Sequence, residues 1–179
     1  MTNNTKSMMQ NLTGNNEWRT PAKYIEAVKN VLGEIDIDPA TNDEAQKFIQ
    51  AKAHHTIDDS GLNYSWNGRC FMNPPYSRDL IPKFADKFVR ELECGNITEG
   101  IVLVNSATDT GWFHQLYQSA SAMCLTKGRI GFLRPEQSYQ VNTGKKGQLG
   151  TALLYFGEDI ESFVSEFKQC GLLTLPIEV

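Results

Sequence analysis

The chain has 179 residues, of which 40% are hydrophobic and 21% charged, and its formal net charge is -4. This size and composition are typical of one globular domain with its own core. The negative charge argues against a protein that coats nucleic acid regardless of sequence, because such binding depends on neutralising phosphates. Apolar runs are short and Met1 precedes a polar segment, so we expect a cytoplasmic protein that is neither secreted nor inserted in a membrane.

The four cysteines lie far apart and form no C-x-x-C pair, and His54 and His55 have no cysteine nearby. Zinc sites usually bring such ligands together at short spacings. We therefore expect reduced thiols and no bound metal.

The amino-terminal region divides into a tail and a helix. Residues 1–15 are polar, rich in Asn and without an apolar period, so we expect a flexible tail before a single domain at residues 16–179. Thr20 is predicted to cap a helix that has Pro21 at its first position and stops at Gly33.

Strands and helices then alternate along the chain. Ile35 and Ile37 alternate with Asp36 and Asp38 in a short strand that breaks at Pro39. Further strands are predicted at 70–72, 101–105, 122–126 and 151–156, with helices starting near 42, 80, 112 and 160. Apolar runs such as 101–104 indicate strands buried on both faces. The pattern predicts an α/β fold with a mostly parallel sheet between two layers of helices.

Polar residues follow three of these strands, namely Asp38, Asn73 and Asn105. Ligands of open α/β sheets bind beyond the carboxyl ends of the strands. We therefore expect these three side chains to converge on one crevice.

The sequence Asn-Pro-Pro-Tyr at residues 73–76 directly follows a predicted strand. Asn73 offers a side-chain carbonyl and Pro74 a backbone carbonyl, and together they can accept both hydrogens of an amino group. Such acceptors would turn the nitrogen lone pair of a nucleobase amine towards an electrophile, while Tyr76 offers a face on which the base can stack. A base in a duplex would have to flip out to reach this pocket. The alternative is a Pro-Pro turn without a catalytic role, and the flanking strand and helix favour the catalytic interpretation.

Positive charge is concentrated between residues 127 and 146, where five basic residues stand against Glu136 alone. The segment 133–150 is long, polar and contains glycine, which is typical of functional or disordered loops. We predict a basic loop that contacts DNA, in which Gln137, Gln140 and Asn142 could read base edges, and a merely solvated loop remains the alternative. The predicted DNA-binding residues are Lys127, Arg129, Arg134, Lys145 and Lys146.

Five motifs stand in order along the chain: EWRTP (17–21), DIDPAT (36–41), DDSGLNYSWNGRCFMNPPYS (58–77), TDTGWFHQL (108–116) and KGRIGF (127–132). In content and order they resemble the phage-type DNA N6-adenine methyltransferases, a Dam-like family of S-adenosylmethionine-dependent enzymes with an Asp/Asn-Pro-Pro-Tyr/Phe motif. The resemblance covers about residues 16–156. It implies a Rossmann-like methyltransferase fold, a phage origin and activity in the cytoplasm of a bacterial host.

The resemblance also implies direct, in-line transfer of a methyl group from S-adenosylmethionine to adenine N6 in double-stranded DNA. By position, the catalytic residues would be Asn73, Pro74, Pro75 and Tyr76. The cofactor-binding residues would be Thr20, Pro21, Asp38, Pro39, Asp59 and Asn73.

One departure from related methyltransferases concerns the first strand, which lacks the glycine-rich turn that lets backbone approach the cofactor closely. Asp36 and Asp38 could instead be solvent-facing strand residues. Two further alternatives stay open: an enzyme that methylates cytosine N4, RNA or a protein glutamine, and a noncatalytic methyltransferase-like protein that binds DNA.

Overall fold

A computed structural model describes residues 19–133, 145–146 and 149–176. The predicted tail at 1–15 and most of the predicted DNA loop lie outside these residues. Within the described ranges, no helix has the length and apolar character needed to cross a bilayer.

The described residues form five α-helices, one 3₁₀ turn and nine strands. The helices are α1 (Ala22–Leu32), α2 (Asp43–Ile49), α3 (Ile81–Glu93), α4 (Gly111–Ser119) and α5 (Ile160–Phe167), and the 3₁₀ turn is Gly61–Asn63. The strands are β1 (Ile37–Asp38), β2 (Ala53–His54), β3 (Gly68–Met72), β4 (Ile97–Asn105), β5 (Ala122–Thr126), β6 (Gly131–Phe132), β7 (Lys145–Lys146), β8 (Thr151–Phe156) and β9 (Gly171–Thr174).

Seven of these strands form one sheet in the order β2-β1-β3-β4-β8-β5-β9, and β6 pairs separately with β7. Strands β2, β1, β3 and β4 are parallel, β8 runs against β4 and β5, and β9 runs against β5. Five of the seven strands therefore share one direction. The carboxyl ends of β1, β3, β4 and β5 consequently lie at the same edge of the sheet.

The core consists of two apolar layers, one on each face of the sheet. Ile101 and Leu103 pack with α1, α2 and α5, whereas Val102 and Val104 pack with α3 and α4 on the opposite face. Successive strand residues point to opposite faces, so the continuous apolar run in β4 contributes to both layers. The predicted α/β sheet between two helical layers is confirmed.

Helix ends follow the sequence signals in part. Asn42 caps α2 as predicted, because its Oδ1 accepts a hydrogen bond from the Ala45 amide at 2.9 Å. Gly33 ends α1 with φ of +71°, as expected for a helix stop. The prediction for Thr20 as a helix cap is wrong: Pro21 is the capping residue of α1, no side chain caps it, and the Thr20 hydroxyl contacts Asn73 instead.

The strands that the sequence did not predict are short or lie at edges. β2, β6 and β7 contain two residues each, and β2 and β9 are the two edge strands of the seven-stranded sheet. An added Cβ at Gly171, where β9 begins, would clash with the Leu125 carbonyl oxygen. The predicted strand at 35–38 is present but shorter, because β1 spans only Ile37–Asp38. Trp66 is buried in the core, where its indole donates to the Gly61 carbonyl at 2.8 Å.

A cluster of charges ties β1, β3 and the end of α1 together, and we name it the Asp36 cluster: Asp36, Arg69, Lys52 and Glu34. Asp36 accepts from the Arg69 amide at 2.8 Å and from Arg69 Nε at 3.2 Å, and its other oxygen lies 2.9 Å from Lys52 Nζ. These cations and hydrogen bonds outweigh partial burial and lower the pKa of Asp36 to about 2.

Candidate active site

A cavity of about 300 Å³ opens beyond the carboxyl ends of β1 and β3. Its polar wall comes from residues 19–20 before α1, from the turn after β1 and from the Asn-Pro-Pro-Tyr turn after β3. Apolar side chains complete it, namely Ala45 and Ile49 of α2, Leu80 and Phe84 at the start of α3, and Ile57. A concave, mostly apolar site with a few polar groups is the usual form of a small-molecule pocket.

Asp38 contributes a buried carboxylate to this cavity. The residue is 1% exposed, and its oxygens accept from Gln46 Nε2 at 2.8 Å and from the Ala40 amide at 3.3 Å. Burial disfavours the charged form more than these hydrogen bonds favour it, so the pKa of Asp38 rises to about 7. The alternative of a solvent-facing strand residue is wrong for Asp38.

Asn73 lines the same cavity, and its carboxamide is held at both ends. Its Nδ2 donates to Thr20 Oγ1 at 3.2 Å, and its Oδ1 accepts from the Tyr76 hydroxyl at 2.8 Å. The structure therefore brings Thr20, Asp38, Asn73 and Tyr76 together at one site. Pro39, Pro74 and Pro75 also line it.

Tyr76 is anchored by its hydroxyl and by its ring. The hydroxyl also lies 3.2 Å from the Leu103 carbonyl, one residue beyond the last β4 residue paired with β3, and the ring meets Phe132 edge to face at 6.3 Å between centroids. Burial raises the pKa of the Tyr76 hydroxyl above its ordinary value, so the group stays protonated near neutral pH.

The segment from His55 to Gly61 forms one wall of the cavity through Thr56, Ile57 and Ser60. Asp59 does not line the cavity; its carboxylate lies 2.7 Å from His55 Nδ1 and accepts from the Thr56 amide at 2.7 Å. These contacts, that of His55 first, lower the pKa of Asp59. Asp59 is exposed and joins two residues of the segment, His55 and Thr56, that precede it along the chain.

Gly61 lets this wall approach the turn after β1. A Cβ at Gly61 would lie 2.1 Å from the Pro39 carbonyl oxygen, which only glycine avoids. The first strand lacks its own glycine-rich turn, and the close backbone contact is made by a glycine from a later segment. The sequence reasoning missed this residue, although the run DDSGLN contained it.

Arg19 is a second residue that the sequence reasoning missed. It is 4% exposed and lines the cavity, while its backbone exchanges two hydrogen bonds of 2.9 Å with Leu133. Only the tertiary pairing with residue 133 reveals this burial. The available signal was the EWRTP motif itself, because a role was predicted for Thr20 and Pro21 in this motif but not for Arg19.

Like Asp59, the predicted residues Pro21 and Asn105 do not line the cavity. Pro21 caps α1 and follows the lining residue Thr20, whereas Asn105 ends β4 and pairs with Thr151. Convergence of strand ends on the crevice therefore holds for Asp38 and Asn73 but is wrong for Asn105.

Two of the predicted basic residues lie at the same edge of the sheet. Lys127 and Arg129 are exposed and follow the carboxyl end of β5. The backbone of Lys145–Lys146 pairs with Gly131–Phe132, and Phe132 contacts Tyr76. Arg134, Gln137, Gln140 and Asn142 lie outside the described residues.

Comparison with known proteins identifies the family. The family described as DNA N-6-adenine-methyltransferase (Dam) matches residues 6–170. The chain belongs to this family. Among its relatives, the DNA N-6-adenine-methyltransferase of Haemophilus phage HP1 is 28% identical over 169 residues, which cover 87% of this chain and 91% of that protein. The DNA N-6-adenine-methyltransferase of Escherichia phage T1 is 26% identical over 152 residues, covering 74% of this chain and 60% of that protein.

Membership of the Dam family confirms the resemblance predicted from the motifs. It also confirms the predicted class of enzyme, a DNA adenine-N6 methyltransferase, and agrees with the Rossmann-like α/β sheet. The Asn-Pro-Pro-Tyr turn and the cavity lie inside the matched region.

Proposed function

We propose that this protein transfers a methyl group from S-adenosylmethionine to the N6 amino group of adenine in double-stranded DNA. The observation that carries the proposal is the shared cavity: the Asn-Pro-Pro-Tyr turn after β3 lines it together with the buried carboxylate of Asp38 at the end of β1. A target base and a cofactor can therefore meet at one edge of the sheet.

Asn73 and Pro74 supply the acceptors for the target amine. The Asn73 Oδ1 has two acceptor positions, of which Tyr76 uses one, so the second remains for an N6 hydrogen. The Pro74 carbonyl is the candidate acceptor for the other hydrogen, and Pro75 stiffens the turn. Two acceptors outside the ring plane favour a pyramidal nitrogen and aim its lone pair at the methyl carbon.

Tyr76 offers the flipped adenine an aromatic face for stacking and does not act as a general base. Its raised pKa keeps the hydroxyl protonated, and stacking on an aromatic ring is worth about 1–3 kcal/mol. Bound S-adenosylmethionine would supply the methyl group, which N6 would take as the carbon–sulfur bond breaks. The methylated nitrogen would then release its proton to water.

The charges of the cavity fit the cofactor. S-adenosylmethionine supplies a methyl group on a positively charged sulfur, and its amino-acid end carries one ammonium and one carboxylate. The buried carboxylate of Asp38 and the buried guanidinium of Arg19 line the cavity and match these two groups. Ala45, Ile49 and Ile57 offer apolar surface for an adenine ring.

Other predicted cofactor residues keep a role around this pocket. Pro39 and Thr20 line it directly, whereas Pro21 starts the helix behind Thr20. Asp59 acts through the wall segment that carries Thr56 and Ile57.

A basic surface beside the site is our candidate for DNA binding. Lys127 and Arg129 stand exposed at the edge of the sheet that carries Asn73, and β6 and β7 begin a hairpin next to Tyr76. The predicted loop 133–150, with Arg134, Lys145 and Lys146, would extend this surface over the duplex and help to flip the base. Replacing Lys127 and Arg129 with alanine should weaken DNA binding and lower its salt dependence, while leaving cofactor affinity unchanged.

Labelled methyl transfer tests the proposal. Radiolabelled S-adenosylmethionine is incubated with unmethylated duplex DNA, RNA and protein, and the products are digested to nucleosides or amino acids. We expect label in N6-methyl-2′-deoxyadenosine from DNA. Label in cytosine, RNA or glutamine would contradict the substrate, and no label from folded protein would favour the noncatalytic alternative.

The variant Asn73→Ala tests the role of the amine acceptor separately from cofactor binding. Removing the acceptor should abolish most turnover, while Asp38 and Arg19 still bind the cofactor. Calorimetric titration checks the second point, because loss of affinity together with activity would contradict this division of roles.

A further inference from the structure

The orientation of the Asn73 carboxamide in the proposed amine-binding turn depends on contacts with other side chains. Its nitrogen and oxygen ends have similar shapes but opposite hydrogen-bonding character, since one donates and the other accepts. Catalysis on an amine requires the oxygen end near the target. Whatever fixes this side chain therefore matters to the reaction.

Two hydroxyl groups contact the two ends of the carboxamide. Thr20 Oγ1 accepts from Nδ2 at 3.2 Å, and the Tyr76 hydroxyl donates to Oδ1 at 2.8 Å. Thr20 is 2% exposed and comes from the segment before α1, 53 residues earlier in the chain. Its hydroxyl is thus held near Asn73 by the fold and not by local sequence.

Each hydroxyl leaves room for the reaction. Asn73 Oδ1 keeps a second acceptor position for the target amine, as derived above. The Tyr76 hydroxyl has one hydrogen and two nearby acceptors, with Asn73 Oδ1 at 2.8 Å closer than the Leu103 carbonyl at 3.2 Å. The Leu103 carbonyl of β4 is thus the weaker, competing acceptor for the same hydrogen.

We propose that Thr20 is a positioning residue that holds the Asn73 carboxamide with its oxygen towards the target amine, with the Tyr76 hydroxyl as the second support. This inference rests on the proposed function of Asn73. It assigns Thr20 to the methyl acceptor side, whereas the family resemblance implied contact with the cofactor. Thr20 then affects the rate of transfer more than the affinity for either ligand.

Thr20→Val tests this role, because it removes the hydroxyl and keeps the branched shape. We expect kcat to fall about three- to tenfold, in line with one hydrogen bond of roughly 1 kcal/mol, while the Kd of S-adenosylhomocysteine and the KM for DNA stay within about twofold. Thr20→Ser keeps the hydroxyl and should restore most of the rate. Tyr76→Phe keeps the ring and should lower kcat in the same direction.

Three outcomes would overturn the assignment. One is a Thr20→Val enzyme with weak cofactor binding and normal kcat at saturation. Another is a Thr20→Val enzyme whose kcat equals that of wild type. The third is an equal loss of kcat in Thr20→Val and Thr20→Ser while thermal unfolding is unchanged.

A measurement without DNA separates this inference from the proposed function. The side-chain amide signal of Asn73, identified by its loss in Asn73→Ala, is followed by NMR. It should shift and exchange faster with water in Thr20→Val but not in Thr20→Ser. An unmoved signal contradicts the contact whatever the substrate is, whereas absence of N6-methyl-2′-deoxyadenosine from DNA treated with wild-type enzyme contradicts the proposed function alone.

Discussion

Two aspartates in the sequence IDID lie two residues apart on one strand segment and behave in opposite ways. Asp36 belongs to the Asp36 cluster, where Arg69 and Lys52 help lower its pKa to about 2. Asp38 is buried in the cavity wall, and its pKa rises to about 7. An aspartate thus stabilises the fold at position 36 and, by our proposal, binds a ligand at position 38.

The difference follows from what each carboxylate faces. The cations beside Asp36 come from β3 and from the residue before β2, so its charge is compensated within the protein. Asp38 accepts hydrogen bonds from an uncharged amide side chain and a backbone amide. A buried carboxylate with such partners is poised to bind a cation, and perturbed groups of this kind cluster at functional sites.

The largest effect is expected from Asp38→Asn on cofactor affinity. Loss of a buried charge opposite the ammonium group should weaken binding of S-adenosylhomocysteine about 100-fold, equivalent to about 3 kcal/mol. Isothermal titration calorimetry measures this. Asp36→Asn is the matched control and should bind normally, so equal losses in both variants would remove the distinction between the two aspartates.

The reverse order is expected for stability. Asp36→Asn should lower the free energy of unfolding by about 2 kcal/mol, because it removes hydrogen bonds and ion pairs to Arg69 and Lys52. Urea denaturation of the free proteins checks this near neutral pH. Since the pKa of Asp36 is lowered in the folded state, its contribution is present above about pH 4 and is lost as the pH falls towards 2. Asp38→Asn should cost the free protein less.

The smallest effect concerns pH. The folded-state pKa of Asp38 lies above its ordinary value, so the free protein loses stability as the pH rises from about 4 to 7. A bound cation favours the ionised form of Asp38, so binding of the cofactor ammonium is stronger at the higher pH. Cofactor affinity should therefore increase about fivefold between pH 6 and pH 7, a range in which the ligand's α-amino group stays protonated. Asp36→Asn should keep this slope and Asp38→Asn should lose it. A flat wild-type profile would place the cofactor ammonium elsewhere.

Local patterns were sufficient for most of the fold. The apolar run of β4 and the helical spacing of α3 set these elements because each pattern arises from packing against the sheet. β1, β2 and β9 were misjudged or missed, since two-residue and edge strands depend on partners distant in sequence. Thr20 was likewise taken for a cap because its real partner, Asn73, lies in another segment.

The site was predictable where its chemistry is local. Asn73 and Tyr76 stand in one short motif, whereas Arg19 and Gly61 matter only through the segments that meet them. Asn105 shows the opposite error, because a polar residue at a strand end need not line the cavity. The role of Asp59 stays a prediction, since it contacts His55 and Thr56 beside the cavity and does not line it.

The contact between Gly61 and the Pro39 carbonyl constrains how members of this family can exchange parts. Consider a chimera that takes residues 38–41 from a relative but keeps its own residues 56–61. Its new turn would have to fit against Gly61, which packs closely on the native Pro39 carbonyl. The two segments are therefore expected to be transplanted successfully only as a pair, even though α2 and β2 lie between them along the chain.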